Sequence, residues 1–352
     1  MVRWLPKRRF SPIGVDIGAR ALKLVQFSGD HSRLIDAARV ELPALSDQAT
    51  PEQQANRIVE GLKRGLDDRD FRGREAVLCL NDKQLCLQSV RVPKQTGASL
   101  DQHVAQEAVS RVPFGIDEAE IRYLEAADVR QGDQTLREVI VFAVQRTVLQ
   151  QALDTVERAK LHPVAVDVEP AALVRSYTLQ FRREDDKLAR ALLVHIGYTR
   201  TAALIVQADE LLFVKYIDIG GQSFDQAVAR HLKMALPDAV SLRKHNGDRR
   251  AELQDPEVAK SVAAATRPIV ERLASELAMC VRYHSVTFRG QPIVRMVMSG
   301  GEATPQLVEA VGKQLDLKCE LSDPFRGLPQ IPNVGRKGQW DVAAGLAMRE
   351  LN

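Results

Sequence analysis

Cysteine is scarce in this sequence. Its four residues, Cys79, Cys86, Cys280 and Cys319, lie far apart, with no CxxC pair and no Cys/His cluster. That spacing argues against a disulfide scaffold and a zinc site and fits a reducing compartment. An excess of one charge is also missing. Lys and Arg number 49 against 46 Asp and Glu, a net charge of +3, which gives no reason to expect nucleic acid as a partner. Long apolar runs are absent too. Residues 139–144 are typical of the longest, against the roughly 18 residues a membrane span needs. The start, MVRWLPKRRFSP, has no apolar signal-peptide core. The expectation is a cytoplasmic protein without a direct membrane span. What is present is ordinary globular usage, 45% hydrophobic and 27% charged over 352 residues, enough for two domains or one domain in two lobes.

One local charge bias stands out, in a basic arm at residues 1–12. Arg3, Lys7, Arg8 and Arg9 sit near Trp4, Leu5 and Phe10 with no acid among them. Such an arm reads first as a solvated, frayed terminus, with contact to anionic lipid or a membrane-bound partner as the functional alternative.

Self-similarity organises the rest. Residues 13–25 (IGVDIGARALKLV) and 192–206 (LLVHIGYTRTAALIV) both run through V-x-I-G into a small polar turn and a second β-rich run. Each predicts a β-hairpin, so the chain reads as a duplication, with RREDDK (182–187) between the halves. A third glycine site follows in 293–315. It predicts a strand, then Ser299-Gly300-Gly301, then a helix with Thr304 as N-cap, Pro305 at its first position and Leu307, Val311 and Leu315 on one face. Apolar stripes predict helices over 52–66, 100–112, 148–160 and 268–284, the last starting at Pro268, and a short one over 341–351. Strands are predicted at 75–80, 85–92, 119–126, 137–145, 163–167 and 211–217, whereas 241–258 reads as polar surface. The mixed order makes the class α/β.

Glycine turns at strand ends let backbone N–H groups approach phosphate oxygens, and a helix N-terminus adds partial positive charge. Two facing hairpins and a Gly-Gly helix start could clamp a nucleotide between lobes. Asp16 would then hold a Mg²⁺-bound water, and Lys23 would reach the phosphates. The same turns also fit plain hairpins whose glycines serve tight bends.

These motifs resemble the actin, Hsp70 and hexokinase superfamily of ATPases. VDIGARALK (15–23) resembles its first phosphate motif, VHIGYTRT (194–201) its second, and VMSGGEA (297–303) its adenosine motif. DVEPAAL (167–173) and DVAAGLA (341–347) resemble the two connecting helices, with Glu169 where relatives carry an acid near the metal-bound water. Within the superfamily, RVPFGIDEAEIRY (111–123), VDVEPAALVRSY (166–177), IGGQSFDQAVARHL (219–232) and ERLASELAMCVRYHSVTF (271–288) resemble the PilM family of type IV pilus assembly proteins over nearly the whole chain. FtsA and the cytoplasmic part of GspL-type secretion proteins are similar, but the amphipathic tail of the first and the membrane span of the second are not expected here.

The resemblance implies a two-lobed actin-like fold, a ribonuclease H-like duplication with an inserted small α+β subdomain. The first lobe would run over 13–187 with the insertion at about 93–162, and the second over 188–352 with a small subdomain at about 221–266. It implies ATP and Mg²⁺ as ligands that can also be absent. Asp16, Gly18, Arg20, Lys23, Glu169, Gly197, Thr201, Gly300, Gly301 and Asp341 are the matching cofactor positions, and Asp16 is the metal position through water. The chain departs from the pattern at His195, where relatives carry Asp. Imidazole is a poor Mg²⁺ ligand, and losing a carboxylate there costs roughly a hundredfold or more in rate. Either a general base or a hydrogen-bonded interior histidine fits that position. Ala19-Arg20-Ala21 replaces the usual hydroxyl residues, and Arg20 would contact phosphate or point to solvent.

The expected partner is the N-terminal cytoplasmic segment of a PilN-like inner-membrane protein, beside pilus assembly-platform and motor proteins. Leu100, Val104, Val112 and Phe114 would line its groove or form the insertion's own core. The expected function is a scaffold on the cytoplasmic face of the inner membrane with a weak or non-hydrolysing nucleotide cleft. An ATP-hydrolysing or FtsA-like filament-forming protein is the alternative.

Overall fold

The computed structural model describes residues 9–46, 48–80, 84–94, 98–131, 134–248, 255–288, 292–329 and 334–351. Arg3, Lys7 and Arg8 of the basic arm lie outside the described residues, as does 249–254 of the expected small subdomain.

The first half contains β1 (Ile13–Ile17), β2 (Ala21–Phe27), β3 (Leu34–Glu41), α1 (Pro51–Leu66), β4 (Glu75–Leu80), β5 (Cys86–Pro93), α2 (Ala98–Arg111), β6 (Ala119–Gln131), β7 (Gln134–Gln145), α3 (Arg146–Arg158), β8 (His162–Val168) and α4 (Glu169–Gln180). After the short α5 (Glu184–Leu188) come β9 (Arg190–Ile196), β10 (Thr201–Gln207), β11 (Glu210–Ile217), α6 (Gly221–Leu232), α7 (Leu236–Asp248), α8 (Pro256–Phe288), β12 (Ile293–Ser299), α9 (Pro305–Leu315), β13 (Lys318–Leu321) and α10 (Asp341–Ala347).

The duplication is explicit in the sheets. One has the order β3-β2-β1-β4-β8 and the other β11-β10-β9-β12-β13. In each, an antiparallel three-strand meander is extended by two parallel strands reached through helices. Central strands such as β2 and β10 are buried along nearly their whole length because helices or other layers cover both sides.

Two helices tie the halves together. α4 leaves the first sheet, and Ala172, Leu173 and Tyr177 pack among Ala202, Leu204 and Val206 of the second. α10 returns from the second half and lies on β1, where a Cβ on Gly14 would sit 2.0 Å from the Ala343 carbonyl oxygen. The helices cross at Gly345, whose Cβ would stand 1.9 Å from the Ala172 carbonyl oxygen. Glycine is required at both crossings by close backbone approach.

A third sheet, β5-β7-β6, is inserted in the first half. α2 covers one face through Leu100, Val104, Ala108 and Val112, which pack on Val90, Val92, Val139, Val141 and Ala143. On the other face Ile140 and Phe142 join the cluster of α4 and the second sheet. The sequence-based grouping of 148–160 with this insertion is corrected. Val156 of α3, with Ala159 and Leu161, packs instead in the core of β1, β2 and α1, and the inserted sheet begins earlier, at Cys86.

Other elements also differ from expectation. α8 does not start at Pro268 but at Pro256, with Pro268 inside it. Val262 and Ala265 extend its apolar stripe onto α6 and α7, which offsets the roughly 3 kcal/mol an interior proline costs. α7 occupies part of the stretch read as polar surface, held by Ala239 and Leu242. Strands β3 and β13 had no sequence-based expectation.

Candidate functional site: the cleft between the lobes

The β1–β2 and β9–β10 turns close in the same way. Gly18 N–H donates to the Ala21 carbonyl at 3.1 Å, and Gly197 N–H to the Arg200 carbonyl at 2.9 Å. Both turns open onto one cleft of about 620 Å³ between the lobes. Asp16, Gly18, Arg20, Lys23, Glu169, His195, Gly197, Lys244, Gly301 and Glu302 line it.

Asp16 and Lys23 face each other across the first hairpin. Lys23 Nζ donates to Asp16 Oδ2 at 2.7 Å, and both side chains are nearly buried. Glu169 opens the first turn of α4 at the cleft wall. Arg20 does not simply point to solvent but crosses to the second lobe. Its guanidinium lies 4.0 Å from the centre of the Tyr198 ring, donates to the Tyr198 hydroxyl and reaches Asp225 at 3.8 Å.

His195 sits on β9 beside Ser299 of β12, and Nδ1 shares a 3.0 Å hydrogen bond with the Ser299 hydroxyl. Burial pushes its pKa down to about 4; Asp16 nearby raises it and Lys23 lowers it. The imidazole is therefore neutral at pH 7 and supplies neither a carboxylate nor a cation. The Lys244 ammonium on α7 is pulled below its usual range by burial, against the opposing pull of Glu302. Cys79, also in the wall, is a thiol pushed well up by burial and by Glu169, Asp167 and Asp16, so it is not a thiolate nucleophile at neutral pH.

Three expected cofactor residues do not line the cleft, and their assignment is corrected. Thr201 is fully buried and donates its hydroxyl to the Ile219 carbonyl at 2.7 Å, tying the second hairpin to the segment before α6. Gly300 has φ +102°, and its Cβ would lie 2.2 Å from the Ile196 carbonyl oxygen, so it serves the close approach of this turn to β9. Asp341 is buried between α4 and α10, where it accepts from Ser176 at 2.8 Å, from Ser322 and from Gln180 at 3.2 Å. Burial pushes its pKa up to about 7, against the lowering by those donors.

Of the proposed partner contacts, Leu100 and Val104 are 2% exposed and Val112 is 8% exposed. They hold α2 on its sheet and cannot line a groove. Phe114 packs at the edge of the same cluster and is only partly buried.

Sequence reasoning missed Tyr198, Asp225, Arg243, Lys244 and Glu302. Tyr198 and Glu302 lie inside the two quoted glycine motifs, so adjacency was the available signal. Arg243, which bridges Asp225 at 2.7 Å and Glu302 at 2.8 Å, and Lys244 lie in the stretch read as surface; nothing local marked them.

A duplicated sheet, two crossed helices and a cleft framed by paired glycine turns define an actin-like fold. Solved structures agree on this fold. An archaeal actin homolog superposes with a TM-score of 0.50 at 11% identity, over 96% of this chain and 98% of its own. The ethanolamine utilization protein EutJ from Carboxydothermus hydrogenoformans gives 0.57 at 14% identity, over 96% and 89%. A structure of the PilM–PilN type IV pilus biogenesis complex gives 0.79 at 23% identity, over 97% of this chain and 98% of that chain. The model of the family described as type IV pilus assembly protein PilM matches residues 14–351, and the chain belongs to that family. No curated protein sequence matches it significantly. Among the described residues no helix is long and apolar enough to cross a membrane.

Proposed function

We propose that this chain is a scaffold of a type IV pilus inner-membrane assembly platform. It binds the N-terminal cytoplasmic segment of a PilN-like membrane protein and is held through it at the cytoplasmic face of the inner membrane. The observation that carries this reading is the family match over residues 14–351. The likeness to a chain of the PilM–PilN complex along almost its full length supports it. Platform and motor proteins are the further partners it would connect. Of the four groove residues expected from sequence, Phe114 is the one left partly exposed, which favours a peptide contact at the rim of the α2 cluster.

The cleft supports nucleotide binding as a second part of the same proposal. It sets two glycine turns beside the cations Lys23, Arg20 and Lys244, which suits ATP phosphates. Among the described residues no group of three or more His, Cys, Asp or Glu could hold a metal ion directly. Mg²⁺ would therefore enter on the nucleotide's phosphates and meet Asp16 through water. With neutral His195 in place of a carboxylate and Asp16 paired to Lys23, this chain holds nucleotide rather than turning it over.

Calorimetric titration of the full chain with the N-terminal cytoplasmic peptide of its PilN-like neighbour tests the main claim. Saturable binding is expected; no binding at millimolar peptide overturns it.

A further inference from the structure

Both cations of the first hairpin are already engaged by this chain. Lys23 is held by Asp16 at 2.7 Å within its own lobe. Arg20 crosses the seam. It starts from the β1–β2 turn of the first lobe and ends on Tyr198 and Asp225 of the second, stacked on the ring at 4.0 Å, bonded to its hydroxyl and 3.8 Å from the carboxylate. Its guanidinium thus spans the mouth between the two glycine turns.

The energetics of this contact are those of an exchangeable tie. Stacking of a guanidinium on an aromatic ring is modest where water still reaches it, and the Arg20 side chain is 35% exposed. Among the described residues the Asp225 oxygen facing Arg20 has no hydrogen-bond partner, and 3.8 Å is beyond hydrogen-bond reach. The other oxygen keeps Arg243 at 2.7 Å, and Arg243 is itself braced by Glu302 at 2.8 Å. Withdrawing Arg20 therefore leaves the fully buried Asp225 with its charge partner, which avoids the large cost of an orphaned buried carboxylate. A phosphate offers the same guanidinium a bidentate, charge-assisted contact.

We propose that Arg20, Tyr198 and Asp225 form a latch across the cleft, and that a phosphate-bearing ligand enters by drawing Arg20 off Tyr198. This rests on the nucleotide reading of the cleft. The affinity of the site is then a difference between the ligand's hold on Arg20 and the latch's hold on it, so weakening the latch strengthens binding.

The test uses the full chain and its variants Tyr198→Leu, which removes ring and hydroxyl, and Tyr198→Phe, which keeps the ring. Titration with ATP and MgCl₂ should show Tyr198→Leu binding roughly three- to tenfold tighter than the parent, with Tyr198→Phe between them. In ligand-free protein, hydrogen exchange at the amides of 18–21 and 197–200 should speed up in Tyr198→Leu. ATP binding that is equal or weaker in Tyr198→Leu, or unchanged exchange at both turns, overturns the latch. Absence of ATP binding in all three proteins overturns the nucleotide reading itself and the displacement step with it, a result distinct from the first.

Discussion

His195 and Asp341 show how burial sets chemistry residue by residue. His195 has its pKa pushed down to about 4, so the unfolded chain binds a proton between about pH 6.5 and 4 that the folded chain refuses. Its contribution therefore lowers stability as pH falls through that window. His195→Gln should flatten the pH dependence of unfolding free energy there by up to about 1.4 kcal/mol per pH unit, measured by denaturant titration at pH 5 and 7. Asp341 works in the opposite sense. Its pKa is raised to about 7 by burial, so the folded chain keeps a proton that the unfolded chain has lost above about pH 4. Stability then falls as pH rises from about 4 to 7 and stays reduced above that. Asp341→Asn should raise the melting temperature at pH 8, with a smaller gain at pH 5, in thermal melts at the two pH values. Neither behaviour was legible in the sequence. The DVAAGLA motif located Asp341 but not the lid of Ser176, Gln180 and Ser322 around it.

At the scale of elements, the predictions concern the crossing helices and α2. Gly345 leaves room for the Ala172 carbonyl oxygen and nothing larger. Gly345→Ala should lower unfolding free energy by about 1–3 kcal/mol or more, read by chemical denaturation, because the backbones of α4 and α10 must part to admit the methyl. Leu100→Ala should cost about 2–5 kcal/mol, as for any large-to-small change in a packed core, because Leu100 is a core residue on the sheet-facing side of α2. A loss of peptide binding without loss of stability would instead restore it to a groove. The glycine hairpins, the Thr304-capped helix and the apolar stripes were readable because each is a local pattern. The start of α8 was misread since Pro268 resembles a helix beginning when seen alone. Only α6 and α7, packed against Val262 and Ala265, make the earlier turns favourable. The same limit hid α3's allegiance, which is decided by Ile13, Val15 and Leu62.

For the molecule as a whole, the seam between the lobes is where the proposed nucleotide site would couple to stability. On the proposed nucleotide reading, in which the folded chain alone binds ATP, ATP with Mg²⁺ at a hundred times its dissociation constant should add about 2.7 kcal/mol of stability, read as a rise in melting temperature that Lys23→Ala reduces. Release of phosphate under the same conditions should stay at background; turnover that vanishes in Asp16→Ala would show a working hydrolase. The sequence by itself determined the duplication, the positions of both glycine hairpins and the short final helix, since these are set by periodicity and backbone need over a few residues; the first connecting helix was marked only by the resemblance of DVEPAAL (167–173) to the superfamily. Family membership followed from motifs spread along the chain. Tertiary structure alone decided which of the motif residues face the seam and which brace it from behind. It turned Thr201, Gly300 and Asp341 inward and brought Arg20 of the first lobe onto Tyr198 and Asp225 of the second. The reason is geometric: a side chain's neighbours across a seam are chosen by the packing of two sheets through crossed helices, and no spacing along one strand encodes that choice.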